Sequence, residues 1–172
     1  AQNRSGITFI ENKGQWPKEV RFSAEIPGGR LFIEEKGLTY SFENPEQASQ
    51  RTHNSHLNQT SGKMAPQKYY AMKVEFLNQT NGAKYIPQKA SPTLYSFFYG
   101  NDASQWASGA KGYSHVTVEN LYEGIDLEIS SEYDRIKYDF KIAPGADASC
   151  IQMEYKGASS LNIDNETLVA TT

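Results

Sequence analysis

The chain of 172 residues has a single cysteine, Cys150, which excludes an internal disulfide and any multi-cysteine zinc site. It stands just before an alternating "IQMEY" stretch and reads as an inert small side chain. No run approaches the ~20 apolar residues of a membrane helix, so no membrane insertion is expected. The net charge of −3 is built from interspersed charges with no basic run to track a phosphate backbone, which argues against nucleic-acid binding. A calcium-loop signature and a phosphate-cradling glycine motif are both missing. There is also no basic-then-apolar start. "AQNRSG" suits a mature N-terminus from which an export signal has been removed.

Helical periodicity is missing as well; the dominant pattern is period two, the mark of half-buried strands. In "LTYSFE", Leu38, Tyr40 and Phe42 fall on one face, with Thr39, Ser41 and Glu43 on the other. Tyr70, Met72, Val74 and Phe76 alternate in the same way, as do Ile125, Leu127 and Ile129. So do Ile136, Tyr138, Phe140 and Ile142, and then Ile151, Met153 and Tyr155. "PGG" (27–29), "KG" (36–37) and "NG" (81–82) punctuate these runs with residues that accept the positive φ of tight turns. "APGAD" (143–147) ends a strand, because Pro144 cannot donate to a ladder. The expectation is an all-β, mainly antiparallel two-sheet sandwich with little helix, forming one domain over 1–172. Residues 44–66 are polar, lack aromatics and read as a long disordered loop. Abundant Tyr and Phe spaced by Asn, Gln, Ser and Thr suit an extracellular β-protein.

Candidate chemistry is sparse. His53 and His56 lie in the polar loop without a carboxylate or cysteine to complete a site, and His115 lies on the outward face of a strand with no nucleophile motif around it. In "GIDLEISSEYDRIKYDFKI", matching apolar faces place Ile129 opposite Ile136 and Leu127 opposite Tyr138. That register sets Asp126 against Asp139, a destabilising like-charge pair that could serve as a cation site, with calcium the candidate ion, or as an acid/base pair. The alternatives are neutralisation by Lys137 and Lys141 on the diagonals, or a shifted register. Apart from this calcium option no cofactor is expected.

Aromatics are the other resource. "PTLYSFFYGNDASQW" gathers Tyr95, Phe97, Phe98, Tyr99 and Trp106, with Tyr95, Phe97 and Tyr99 on one face by alternation. Such rings can stack on the C–H faces of sugars or pack in a core. In "ENKGQWP", Trp16 is open to the same two readings, ligand platform or structural anchor, and its exposure decides between them. The candidate ligand-binding residues are therefore Trp106, Tyr95, Tyr99 and Trp16. The four Asn-X-Ser/Thr sequons, at Asn3, Asn58, Asn78 and Asn165, would matter in a eukaryotic secretory protein and carry little weight if the chain is bacterial.

Five phrases, "FIENKGQWP", "FFYGNDASQW", "VENLYEGIDLEI", "IKYDFKIAPGADASCIQMEYKG" and "LNIDNETLVATT", together resemble the uncharacterised N-terminal domain of large secreted surface proteins of Bacteroidetes-type bacteria. In those proteins the domain precedes propeller-type or other adhesion-like β-repeats and a type IX secretion sorting domain. The resemblance implies export, a secreted or cell-surface location and a multidomain parent whose downstream domains are partners. It also implies that the chain stops short of the family pattern's end. It supplies no catalytic residues. The positions matching its motifs, among them Asn12, Gly14, Trp16, Gly100, Asn101, Trp106 and Tyr122, are mostly turn formers and aromatics. The expected role is a non-catalytic module for adhesion, polysaccharide or surface-protein binding, or structural support. The alternative is a glycan-active enzyme or an enzyme-associated carbohydrate-binding domain, which would need two facing carboxylates beside aromatics.

Overall fold

The computed structural model describes residues 6–44, 68–98, 100–103, 106–165 and 167–171. The polar 44–66 stretch, with His53 and His56, lies outside them except for Asn44, and so does Tyr99. The described chain is all-β and sandwich-like. Twelve strands form: β1 (Phe9–Glu11), β2 (Val20–Ile26), β3 (Gly29–Glu34), β4 (Gly37–Glu43), β5 (Tyr69–Phe76), β6 (Lys84–Phe97), β7 (Ala107–Tyr122), β8 (Ile125–Glu132), β9 (Arg135–Ile142), β10 (Met153–Lys156), β11 (Ser160–Asp164) and β12 (Thr167–Thr171). A 3-10 turn at Ala148–Cys150 is capped by Asp147, whose carboxylate accepts from the Ser149 N–H and is held below the usual carboxylate range by hydrogen bonding to the Ser149 side chain and, secondly, to that N–H.

Ten strands make one antiparallel sheet in the order β10-β5-β4-β3-β2-β1-β7-β8-β9, with β6 also on β7; β11 and β12 form a separate two-stranded sheet. The long strand β7 is the spine of the sandwich. Tyr113 pairs with both Phe9 of β1 and Ala90 of β6, whereas Val116 pairs with Ile129 of β8 and Pro87 of β6. So β6 lines one edge of β7, while the other edge is divided between β1 and β8. The two wings that diverge there curl over each other, and their apolar rows meet. Phe9, Leu31, Ile33 and Leu38 pack there with Val116, Val118, Ile125, Leu127 and Ile129, each at most 1% exposed. At about 25 cal/mol per Å² of apolar surface removed from water, this row is the main stabilising element. The wings also meet through the Tyr40 and Tyr138 hydroxyls, 3.0 Å apart.

Strand β6 carries Pro87 and Pro92, which fits its place at a sheet edge, where a missing N–H costs no ladder bond. The "PGG" turn joins β2 to β3 with Gly28 at φ 76°. Gly37 has a different role from the expected turn former: it sits in β4, and a Cβ there would overlap the Val74 carbonyl oxygen of β5. The "NG" connection is likewise no hairpin, since β5 pairs with β4 and β10 while β6 pairs with β7. "IQMEY" enters its strand only at Met153, and Ile151 packs against the core from the preceding segment, as does the half-buried Cys150.

Candidate functional site

The site is built at the end of the sandwich where the β2–β3 turn meets the β8–β9 turn. Trp16 frames it. The loop that carries Trp16 is organised by one side chain: Asn12 Nδ2 reaches the carbonyls of Trp16, Pro17 and Val20 at 3.1, 2.9 and 2.9 Å. Its Oδ1 accepts from the Gly14 and Trp16 N–H groups at 2.9 and 3.3 Å. Buried Gln15 completes the loop, accepting from the Lys13 N–H and donating to the Glu11 carbonyl. This network lays the indole on the outer face of β3, against Phe32 (6.4 Å between centroids) and Phe97 (5.3 Å), with the Arg30 guanidinium 5.9 Å from its ring centre. Trp16 is half-buried and lines a cleft of about 640 Å³ with Asn12, Pro17, Lys18 and Arg21. It is an anchor that keeps part of its surface accessible.

Arg30 turns this cluster towards the main cleft. Its guanidinium donates to Glu25 at 2.9 Å and to the buried Ser23 hydroxyl at 3.4 Å, so its position is fixed from three sides. A cleft of about 480 Å³ opens beside it, lined by Glu25, Arg30, Tyr95, Phe97, Tyr133 and Asp134 together with Thr8 and Ile10. Tyr95 is seated by Gly112: a Cβ there would lie 2.9 Å from the Tyr95 ring and 2.5 Å from Thr8 Cγ2. Tyr133 is 72% exposed at the rim and holds φ 59° in the two-residue turn between β8 and β9. A bulky residue in the left-handed region is strained, and here the two-residue hairpin turn imposes it, since the favoured turns of that length take positive φ at their first central residue. Flat rings, two lining carboxylates (Glu25 and Asp134) and a fixed guanidinium in one cleft can stack on an apolar face and bond to hydroxyls around it.

Tyr95 and Trp16 are thus brought together around Phe97 and Arg30. Trp106 is not in this cluster; it meets Phe98 edge-on at 5.8 Å, and its indole N–H points to the Gly100 carbonyl at 3.4 Å. Phe32, Arg30, Glu25 and Asp134 were missed by the sequence reading. Phe32 had a visible signal: in "RLFIEE" it alternates with Leu31 and Ile33, an aromatic on the face otherwise given to charge.

The carboxylate pair requires correction. The β8–β9 register sets Asp126 opposite Lys141 and Asp139 opposite Glu128, two residues away from the expected alignment. The reason is the turn, which closes on Tyr133-Asp134 and pairs Glu132 with Arg135. Asp126 is committed to the backbone, accepting from the Asn120 N–H at 2.7 Å where β7 bulges and Asn120 takes φ 54°. Asp139 pairs with Lys137 at 3.2 Å, which offsets its Glu128 neighbour. Among the described residues no three His, Cys, Asp or Glu side chains converge as a metal site. His115 lies between Ser114 Oγ at 2.8 Å and Lys89 Nζ at 3.3 Å.

Fold and cleft together define an all-β, sandwich-like domain with an aromatic-lined cleft at one end. The chain belongs to the family described as a domain of unknown function (DUF7948), whose model matches residues 9–172. No curated protein and no solved structure matches it.

Proposed function

We propose that this domain is a non-catalytic binding module of an exported bacterial surface protein, and that the cleft beside the β2–β3 turn holds a sugar ring of a polysaccharide or surface glycan. The observation that carries the reading is the convergence of Tyr95 and Phe97 with the Glu25–Arg30 ion pair in one cleft of about 480 Å³. That volume suits one or two sugar units. The rings would meet the C–H face of the sugar, while Glu25, Arg30 and Asp134 exchange hydrogen bonds with its hydroxyls. The secreted or cell-surface location, the Bacteroidetes-type origin, type IX secretion and the downstream adhesion-like domains rest on the resemblance of the motifs, of which "ENKGQWP" builds the Trp16 loop.

A glycan and polysaccharide array with the 172-residue chain, run with and without calcium, tests the proposal. Retention of at least one sugar class, lost on Tyr95→Ala, is the expected result. An array with no hits removes it. Release of reducing ends from a retained glycan would instead favour the glycan-active alternative, for which Glu25 and Asp134 are the carboxylates lining the cleft.

A further inference from the structure

The cleft that holds Tyr95 does not end at Arg30. Leu31 and Ile33 turn inward to the core, so Arg30 and Phe32, which alternate with them, turn outward. Directly opposed residues of an antiparallel ladder share a face, and the register sets Glu25, Arg30, Ser41 and Ala71 in one outward row across β2, β3, β4 and β5. Beyond Arg30 that row is small side chains. It runs between the Phe32–Thr39–Lys73 row on one side and the Glu43–Tyr69 pair on the other. The trough above it is a cleft of about 630 Å³, lined by Glu25, Arg30, Phe32, Ser41, Glu43 and Tyr69. It shares Glu25, Ile26 and Arg30 with the 480 Å³ cleft of Tyr95 and Phe97, so the Glu25–Arg30 ion pair is their common wall. Phe32 and Tyr69 stand two strands and four residues apart, about 17 Å by ordinary sheet spacing, farther than one sugar ring reaches.

We infer that this trough is a second sugar subsite, and that the ligand is a chain of units without acidic groups running from Tyr95 over Arg30 to Tyr69. This rests on the glycan assignment of the first cleft and extends it to chain length and charge. The second cleft repeats the chemistry of the first, with aromatic rings for C–H stacking and hydroxyl or charged groups for the sugar hydroxyls. Arg30 serves both, because Glu25 at 2.9 Å and the Ser23 hydroxyl at 3.4 Å hold its guanidinium on the wall between them. Each volume suits one or two sugar units, so about three or four fill the pair. Charge selects among such chains. The carboxylates of Glu25, Glu43 and Asp134 face one guanidinium, that of Arg30, among the described lining residues. A lining with excess negative charge repels uronate and sulfated chains and leaves neutral ones unpenalised.

Calorimetric titration of the 172-residue chain with β-linked glucose, mannose and N-acetylglucosamine oligomers, each as dimer and tetramer, and with galacturonate tetramer tests this. The expected result is that a neutral series binds with its tetramer at least about tenfold tighter than its dimer, and that galacturonate tetramer binds at least about tenfold weaker than the neutral one. Tyr69→Ala removes a ring that is 52% exposed at the start of β5 and should cut the tetramer-to-dimer ratio about fivefold. Glu43→Lys, an independent variant on the neighbouring strand, should raise galacturonate affinity. A tetramer no tighter than its dimer overturns the second subsite, and so does a ratio that Tyr69→Ala leaves intact. Galacturonate binding as tight as the neutral tetramer, or unmoved by Glu43→Lys, overturns the charge selection. In each of these cases loss of dimer binding on Tyr95→Ala still upholds the first cleft, whereas failure of every oligomer to bind removes the glycan assignment together with its extension.

Discussion

Asn12→Ala tests whether one side chain organises the Trp16 loop. The substitution leaves three carbonyls (Trp16, Pro17, Val20) and two N–H groups (Gly14, Trp16) without their partner. The bonds to the Pro17 carbonyl and the Gly14 N–H are exposed, so water replaces them at little cost. The remaining three are partly buried, and each lost bond there costs about 1 kcal/mol, giving roughly 2–3 kcal/mol in all. For a domain of this size that is a fall in melting temperature of about 5–10 °C. Asn12→Asp is the sharper variant: it retains the acceptor for Gly14 and Trp16 but aims a carboxylate oxygen at three carbonyls. It should be at least as destabilising as alanine at pH 7, and should recover part of the loss below pH 4, where protonation restores a donor. Thermal melts of both variants at pH 7 and pH 3.5, each against the parent chain at the same pH, measure this. An alanine variant within 1 °C of the parent, or an aspartate variant without pH-dependent recovery, would refute the hub role.

The same reasoning gives further outcomes. Ile129→Ala removes a fully buried side chain between the wings and should cost about 2–5 kcal/mol in urea unfolding. Tyr133→Gly relieves a left-handed φ while removing a cleft ring; stability should be unchanged or up by about 1 kcal/mol, and glycan affinity should fall. Burial pushes the Tyr85 hydroxyl, which donates to the Glu34 and Glu35 carbonyls at 2.8 and 3.0 Å, up to about 12, and pushes Tyr40 higher still. The unfolded chain then ionises first, so stability from these phenols is complete below pH 10 and is lost as the pH climbs through 10–12. Denaturant titrations across that range should show the decline, with a shallower slope for Tyr85→Phe.

How far these features were legible follows from what period two can encode. Alternation identifies the inward rows of β4, β5 and β8, because a one-residue error would expose the whole row. It cannot separate registers that differ by two, since both keep every side chain on its face. That is why Asp126 was placed opposite Asp139 when the Tyr133-Asp134 turn sets it opposite Lys141. In the division of β7 between β1 and β8, the β8 part is a local hairpin, but the β1 part joins Phe9 to Tyr113, about a hundred positions away, and no local pattern announces it. Tyr95 and Trp16 were identifiable as candidates by type. Their meeting through Phe97 and Arg30 depends on β6 folding back along β7, which only the topology supplies. Phe32 is the exception, an outward-facing aromatic that alternation alone could have flagged.

The central claim is that the cleft beside the β2–β3 turn binds a glycan. Its most direct test is to titrate the isotope-labelled chain with the strongest array ligand and follow backbone amide shifts. The account predicts the largest changes at Glu25, Arg30, Tyr95, Phe97 and Asp134, abolished by Tyr95→Ala. Shifts confined to the Phe98–Trp106 corner or to the outer face of β9, with the cleft unmoved, would contradict it.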